Sequence, residues 1–488
     1  ITAIGGDYTV SLGVPAAVPP MTYVGNAGDG TATLKASEDV TLANAALEIR
    51  DGGRLLIPDG VTFGYGNMAA GQQIAVEEGG RMDVNGTANL ALSANQVVPV
   101  ALKGGTLSVS NGTLSVIDKA KFADYAKSPF DMTRGAKVEV VGTSTLALSN
   151  TNFKVGGGTV EVKDSATFDW YATTEGLHFG TTAGDTLTLT VRDDAKLSVR
   201  PSGFRAFHIG SVAGSRMILN LASSKKYEVP NDFYFTLGNV GGYGEINLSS
   251  GYLKTGGHCP RIGGNATDGY NTHSTAEGVV RVTGTGVFDN ASGSQYAVQL
   301  NGIVLGRGFN EKPGDPGWVK GTLYVADQGV VTNRGSSYII AGAGYATGNI
   351  YQSGGLIYDA NTGYQVILGA WGGDSRWEIT NGLSYVKCDT YVGGILTNQL
   401  AGNTYAQTKP DWATLGQRCN LASRNATGLL NVIGGRFVSE KEIIVGIDGH
   451  GTLAVGPTGF VSAKTLTFTN TFDEATGETY PSRFACTF

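Results

Sequence analysis

Short apolar runs that end in a glycine recur along the chain. Tyr338–Gly342 (YIIAG) and Gln365–Gly369 (QVILG) are two examples. Most of the intervals between such glycines are about 24 to 36 residues, which is the period of stacked repeat proteins. The pattern therefore predicts a repeat architecture in which each interval forms one coil. The glycines that end these runs are Gly180, Gly210, Gly238, Gly263, Gly306, Gly342, Gly369, Gly393 and Gly446.

A second motif lies between these glycines and predicts the strands of each coil. A glycine begins an alternation of apolar and polar residues, and another glycine follows, as in Gly321–Val325 before Gly329. A further short run, such as Leu356–Tyr358, then leads to the next turn. Strands of about three to five residues cannot bury a face alone, but stacked coils pair in parallel around a shared apolar interior. The motif predicts an all-β, right-handed parallel β-helix (β-solenoid) of roughly 16 to 18 rungs.

Composition agrees with that fold. The chain has 488 residues, of which 74 are glycine, and only 16% are charged. Glycine in turns permits a positive φ or a close approach of one coil to the next. A string of antiparallel β-sandwiches would also contain short strands and many turns. The even spacing of Gly342, Gly369 and Gly393 favours the solenoid.

The periodicity divides the chain into segments. Pro15, Pro19 and Pro20 interrupt any regular pattern near the amino end, which suggests a cap or an arm for assembly. The period also breaks between about residues 396 and 427, which predicts an insertion that projects from one turn. We therefore predict a cap or assembly arm over 1–40, a solenoid over 41–470 with the insertion at 396–427, and a carboxy-terminal tail or cap over 471–488.

Charge and hydropathy bear on partners and compartment. The formal charge is −6 and the basic residues are scattered, whereas nucleic-acid binding needs a concentrated basic surface. No apolar run approaches the roughly 20 residues of a membrane-spanning helix. The sequence starts at Ile1 without a signal pattern, as a processed secreted protein or a trimmed fragment would. We expect neither nucleic-acid binding nor a membrane span.

The cysteines predict no metal site. Cys259, Cys388, Cys419 and Cys486 form no C-x-x-C pair, so structural zinc is not expected. Cys388 and Cys419 flank or lie in the predicted insertion. A disulfide between them would fix the insertion to the solenoid, and we predict it on that ground.

The histidines and carboxylates give no catalytic constellation. Asp448–Gly451 (DGHG) resembles one motif of polygalacturonase-type glycosidases, which also need clustered carboxylates as acid and base. The other motifs of that family are absent, and Gly449-His450 occupies a turn position of the repeat. His178 and His208 alternate with apolar residues and are expected to face outward. We therefore predict no catalytic residue and no cofactor.

An aromatic residue recurs shortly after the turn glycines. The four examples are Tyr243, Phe309, Tyr345 and Trp371. Equivalent positions on neighbouring rungs of a solenoid lie about 4.8 Å apart, so these side chains could form a ladder. Exposed aromatic rings suit sugars or a protein partner. The alternative is that they cover loops and adjacent turns.

The coils written Gly-x-Leu-x-Val, then Gly-x-Phe or Gly-x-Leu, then two apolar residues and Gly resemble the autotransporter-associated β-strand repeats and passenger domains of bacterial surface proteins. Such motifs occur over most of residues 41–470. The resemblance implies an extracellular or outer-surface bacterial protein used for adhesion, matrix or filament building, without a cofactor.

We therefore expect a secreted or cell-surface structural or adhesive solenoid. Unpaired backbone at the two ends predicts end-to-end self-association into a homopolymer. The candidate joints are residues 1–40, Thr465–Thr469 and Phe484–Phe488. Surface glycans or host matrix are further candidate partners. A polysaccharide lyase or glycosidase, and a glycan binder of the phage-tailspike type, are the alternatives.

Overall fold

The described strands pair in parallel from coil to coil. The computed structural model describes residues 1–488 except 2–5, 14–18, 26–29, 67–71, 93–99, 119–129, 150–153, 173–176, 202–205, 240, 265–274, 292–301, 308–318, 336, 345, 371, 395–425, 448, 474–477, 481 and 487–488. The described residues form strands and turns and contain no helix.

The strands in chain order are β1 (Tyr8–Leu12), β2 (Met21–Val24), β3 (Ala32–Ala36), β4 (Val40–Leu42), β5 (Ala46–Ile49), β6 (Gly53–Ile57), β7 (Thr62–Tyr65), β8 (Ile74–Glu77), β9 (Arg81–Val84), β10 (Thr87–Leu92), β11 (Val100–Lys103), β12 (Thr106–Ser110), β13 (Thr113–Asp118), β14 (Phe130–Thr133), β15 (Lys137–Val141), β16 (Thr145–Ser149), β17 (Lys154–Val155), β18 (Gly158–Val162), β19 (Thr167–Ala172), β20 (Leu177–Phe179), β21 (Thr186–Asp193), β22 (Lys196–Pro201), β23 (Ala206–Ile209), β24 (Arg216–Ser223), β25 (Lys226–Leu237), β26 (Tyr243–Leu248), β27 (Tyr252–Gly264), β28 (Ala276–Val282), β29 (Val287–Asn290), β30 (Gly302–Arg307), β31 (Val319–Val325), β32 (Val330–Asn333), β33 (Tyr338–Ala343), β34 (Thr347–Asp359), β35 (Val366–Ala370), β36 (Asp374–Val386), β37 (Thr390–Val392), β38 (Thr427–Ser439), β39 (Glu442–Val445), β40 (His450–Ser462), β41 (Thr465–Phe468), β42 (Thr471–Asp473), β43 (Glu478–Tyr480) and β44 (Arg483–Cys486).

The chain divides into two compact units. Unit 1 consists of 1–205 and 214–227, and unit 2 consists of 206–213 and 228–488. In unit 1 the strands of successive coils form three parallel stacks. The first strands run through β1, β3, β6, β9, β12, β15, β18, β21 and β24, the second strands through β4, β7, β10, β13, β16, β19 and β22, and the third strands through β2, β5, β8, β11 and β14.

Unit 2 repeats this arrangement. Its first strands stack as β26, β28, β31, β34, β36, β38, β40 and β44, and its third strands as β30, β33, β35, β37, β39 and β41. In β34, β36, β38 and β40 the first and second strands of a coil join into one 13-residue strand, which is longer than the sequence predicts. The glycine between the two halves makes an irregularity in pairing rather than a full break, as at Gly355 in β34.

This register confirms the predicted parallel β-helix. Successive coils return to the same sheet in parallel, and the inward side chains stack as continuous columns. One column of unit 2 runs through Ile246, Val280, Leu323, Ile350, Trp377, Leu430 and Leu453, all at most 1% exposed. Burial of such columns is the main favourable contribution to the fold.

The recurrent glycines meet at the coil corners. Gly342 has φ of +68° and is the penultimate residue of β33, while Gly348 begins the next alternation. A Cβ on Gly348 would lie 2.1 Å from the backbone nitrogen of Gly342. Two motifs that are separate in the sequence therefore pack against each other, and a side chain at Gly348 would force the coils apart.

The segments at the two ends contain paired strands. Within 1–40, the predicted cap or arm, β1 pairs with β3 and β2 pairs with β5. Within 471–488, β42 and β43 form an antiparallel hairpin, and β44 pairs in parallel with β40. The predicted insertion lies almost wholly outside the described residues, and β38 begins at Thr427.

Candidate binding and assembly surfaces

Only one member of the predicted aromatic ladder belongs to the described residues. Tyr243 begins β26 and is half-buried, and its hydroxyl donates to Glu245 Oε2 at 2.5 Å. Phe309, Tyr345 and Trp371 lie outside the described residues. The ladder of these four residues stays a prediction.

A different aromatic stack occupies the outer face of the first strands in unit 2. Tyr324 and Tyr351 are register partners, and their rings stack with centroids 5.3 Å apart. The guanidinium of Arg281 lies 4.2 Å above the Tyr324 ring, and Arg281 Nε is 3.2 Å from Glu245 Oε1. Arg281 and Tyr351 are the register partners of Tyr324 in the two adjacent coils, so they cover both faces of its ring. Sugar stacking requires an open ring face, so the Tyr324 ring does not suit it.

The charges in this stack are mutually stabilised. Burial by itself raises the pKa of Glu245, but hydrogen bonds from Tyr243 and Arg281 outweigh it and hold the pKa below its ordinary value. Glu245 therefore stays ionised and fixes the guanidinium over Tyr324. The sequence held a usable signal for this stack, because Tyr324 and Tyr351 both stand three residues after the glycine of the alternation.

A second pair of tyrosines lies on the neighbouring outer face. Tyr358 and Tyr385 are register partners with ring centroids 5.9 Å apart. The ammonium of Lys387 is 5.7 Å from the Tyr358 ring, and the Tyr385 hydroxyl donates to Glu440. Regular spacing of coils thus makes ladders of like side chains on the outside as well as in the interior.

A polar ladder runs through the interior of unit 2. Thr255, Asn290, Asn333 and Asp359 follow one another in register and are all at most 1% exposed. Thr255 donates to Asn290 Oδ1 at 3.0 Å, and Asn290 donates to Asn333 Oδ1 at 2.6 Å. Buried amide groups need such partners, and the ladder supplies them from coil to coil.

Asp359 is a buried carboxylate, and the described groups that donate hydrogen bonds to it are all neutral. Asn361 donates to Oδ1 through its backbone nitrogen at 3.0 Å and through Nδ2 at 2.6 Å, and Asn333 Nδ2 is 3.3 Å away. The Cys388 thiol donates to Oδ2 at 3.5 Å. Burial raises the pKa of Asp359 to about 6, because these hydrogen bonds only partly offset the loss of water.

Cys388 belongs to this interior cluster. Its thiol is buried beside Asp359, and burial raises the pKa of that thiol above the ordinary value. A thiol that stays protonated is a poor nucleophile and a poor metal ligand. Cys419 lies outside the described residues, so the disulfide between Cys388 and Cys419 stays a prediction.

The histidines of the described residues do not assemble a site. His450 is the exposed first residue of β40, and Asp448 lies outside the described residues. His208 was expected to lie on the surface as an outward-facing residue, but it is only 6% exposed, so other residues cover it. Its strand neighbours Phe207 and Ile209 are also buried, so burial there does not alternate. Within the described part of the chain, His, Cys, Asp and Glu side chains do not gather in threes suited to a metal ion.

The carboxy-terminal coil of the described residues exposes interior positions. Leu466, Phe468 and Phe484 follow the fully buried Ile443, Val445 and Leu453 in register, yet they are 44%, 40% and 56% exposed. The rings of Phe468 and Phe484 contact each other edge to face at 5.7 Å. No described strand pairs with the outer edge of β41 or β44. This coil presents apolar side chains together with strand edges that have no partner among the described strands.

The amino-terminal strands are partly covered. β1 pairs only with β3 among the described strands, and Val10, the register partner of the buried Leu34, is half-exposed. Tyr8 is 56% exposed. The edge of β2 is different, because the amino group of Ile1 donates to the Tyr23 carbonyl at 2.8 Å. β1 is therefore the more open edge at this end.

Comparisons with known proteins give no family. No protein-family model matches the chain, and no curated protein matches it. A solved structure similar to the chain is a hyper-glycosylated fragment of TibA whose glycosylation TibC catalyses. The two are 12% identical, the match covers all of each chain, and the TM-score is 0.18. No helix in the described residues has the length and apolar character to cross a membrane. The resemblance to autotransporter repeats stays a prediction, and the fold rests on the strand register.

Proposed function

We propose that this chain is a structural or adhesive β-solenoid of a bacterial cell surface or its surroundings, and that copies join end to end into extracellular filaments. Parallel pairing from coil to coil would give each unit stiffness. Outer ladders such as Arg281, Tyr324 and Tyr351 would present a regular, charged surface for contact with matrix.

The observation that carries the proposal is the exposure of interior side chains in the carboxy-terminal coil. Leu466, Phe468 and Phe484 continue buried columns and are nevertheless open to water. Large exposed apolar groups mark interaction sites, and unpaired strand edges bind further strands. Addition of another coil would satisfy both, and a second copy of the chain can supply one.

The test combines microscopy with an activity assay. Purified chain is imaged by negative-stain electron microscopy over a concentration series, and the same samples are incubated with acidic and neutral polysaccharides. Filaments without release of reducing or unsaturated sugar ends would support the structural role. Polysaccharide cleavage by isolated molecules would overturn it in favour of the enzyme alternative.

A further inference from the structure

We infer that the filament joint is head to tail, with the edge of β44 in one copy pairing in parallel with the edge of β1 in the next copy. This inference rests on the proposed function and specifies the partner surface. Such a joint requires that the two edge strands run in the same direction, that their inward-facing positions lie opposite each other, and that their charges are complementary.

The phase of inward residues matches. Inward and outward residues alternate along the first strands. In β44 the inward position is Phe484, which follows the buried Leu453. In β1 the inward positions are Val10 and Leu12, which precede the buried Leu34 and Ala36. A parallel joint therefore places Val10 on Phe484 and continues the column of inward apolar side chains from one copy into the next.

Charge distinguishes the head-to-tail joint from a tail-to-tail joint. Lys464 and Arg483 are exposed on the carboxy-terminal coil, whereas Asp7, Glu38 and Asp39 are exposed beside the amino-terminal strands. A tail-to-tail pair would bring the two sets of basic groups together. A head-to-tail pair would bring them toward these carboxylates instead. A head-to-tail joint also keeps the two edge strands parallel, like the pairs β1–β3 and β40–β44. A tail-to-tail joint related by a two-fold axis would make the edge strands antiparallel.

The joint can be tested with one defective end at a time. The double variant Phe468→Ser/Phe484→Ser loses the apolar tail, and Val10→Asp places a charge at the head. Phe460→Ser is the matched control, because Phe460 lies in the same coil and is 47% exposed, but faces outward against Arg436. All of the altered residues are at least partly exposed, and thermal unfolding of each variant verifies that it is folded.

We expect each defective variant alone to need at least about a tenfold higher concentration for half-assembly in sedimentation velocity, since every 1.4 kcal/mol of lost contact is a factor of ten. The Phe460→Ser control should assemble like wild type. A 1:1 mixture of the tail variant and the head variant should form a dimer and stop there, because one intact head meets one intact tail.

The other outcomes separate this inference from the proposed function. If Val10→Asp alone dimerises, the joint is tail to tail and the inference is wrong. If wild type forms filaments and both defective variants do so equally well, assembly stands but its joint lies elsewhere. If wild type remains monomeric at every concentration, both the inference and filament formation fail.

Discussion

Replacement of Asp359 by asparagine should stabilise the protein at neutral pH. Asp359 lies in the interior ladder, and Asn333, Asn361 and Cys388, all neutral, donate hydrogen bonds to it. Asparagine has nearly the same shape, and its Oδ1 can accept the hydrogen bonds from Asn333 and Asn361. Its Nδ2 takes the place of Oδ2 and can donate to the Cys388 sulfur instead of accepting from the thiol. The substitution therefore removes a buried charge without opening a cavity.

The magnitude follows from the pKa. Burial raises the pKa of Asp359 from 3.8 to about 6, a difference of roughly 2 pH units, and each unit is worth 1.36 kcal/mol. The folded state binds the proton more tightly than the unfolded state. The stability from that bound proton is fully present below pH 3.8 and is lost as the pH rises through about 6. Above pH 7 wild type therefore carries a cost of about 3 kcal/mol that Asp359→Asn lacks.

The assay is urea unfolding of both proteins between pH 3.5 and pH 8, followed by circular dichroism. Midpoints are compared directly, because stacked repeats need not unfold in a single step. The advantage of Asp359→Asn should be near zero at pH 3.5 and largest above pH 7. An advantage that does not change with pH, or a variant less stable than wild type at pH 8, would refute the reasoning.

Asp289→Asn is the matched control for this prediction. Asp289 is also buried, but Arg334 Nε lies 3.0 Å from its Oδ1, and the Tyr252 hydroxyl donates to Oδ2 at 2.5 Å. The Asp289 carboxylate therefore has a cationic partner, and removing its charge leaves Arg334 without this ion pair. We expect Asp289→Asn to destabilise the protein at neutral pH, the opposite sign to Asp359→Asn.

Three further predictions concern glycine packing, the outer stack and the amino-terminal edge. Gly348→Ala should destabilise unit 2 strongly, because the added Cβ would lie 2.1 Å from the backbone nitrogen of Gly342. Gly363→Ala should be nearly neutral, because no atom beyond its chain neighbours lies within 4 Å of the added Cβ. Thermal unfolding of the two variants compares their stabilities. Arg281→Ala should cost about 1 kcal/mol, as a partly exposed cation–π and ion-pair contact does, and should raise the pKa of Glu245 in an NMR titration; an unchanged pKa would contradict the role given to the guanidinium. Deletion of residues 1–25 removes β1 and β2 and should abolish assembly in electron micrographs, while unchanged filaments would exclude this edge as a joint.

The sequence predicted the coil well because the coil is a local and repeated pattern. Glycine spacing and period-two alternation determine which residues turn inward, and the register of columns such as Ile350 and Trp377 agrees with that pattern. The long strands of unit 2 were not predicted, because Gly355 was expected to end a strand and instead makes an irregularity within β34.

Side-chain surroundings were harder to predict. The stack of Arg281, Tyr324 and Tyr351 depends on which outward residues of successive coils become register partners. Because the coils differ in length, that register cannot be predicted from one sequence. The burial of His208 has the same origin, because alternation predicts the direction of a side chain but not what covers it. No motif around Asp359 predicts its burial, and only the register with Asn333 places it in the interior ladder.

Head-to-tail assembly is tested most directly by sedimentation velocity of the wild-type chain over a hundredfold concentration range, followed by dilution of the most concentrated sample. Open head-to-tail assembly requires species that grow with concentration without a fixed upper size and that shorten again on dilution. A single monomeric boundary at every concentration would contradict it, and so would a closed dimer that never grows.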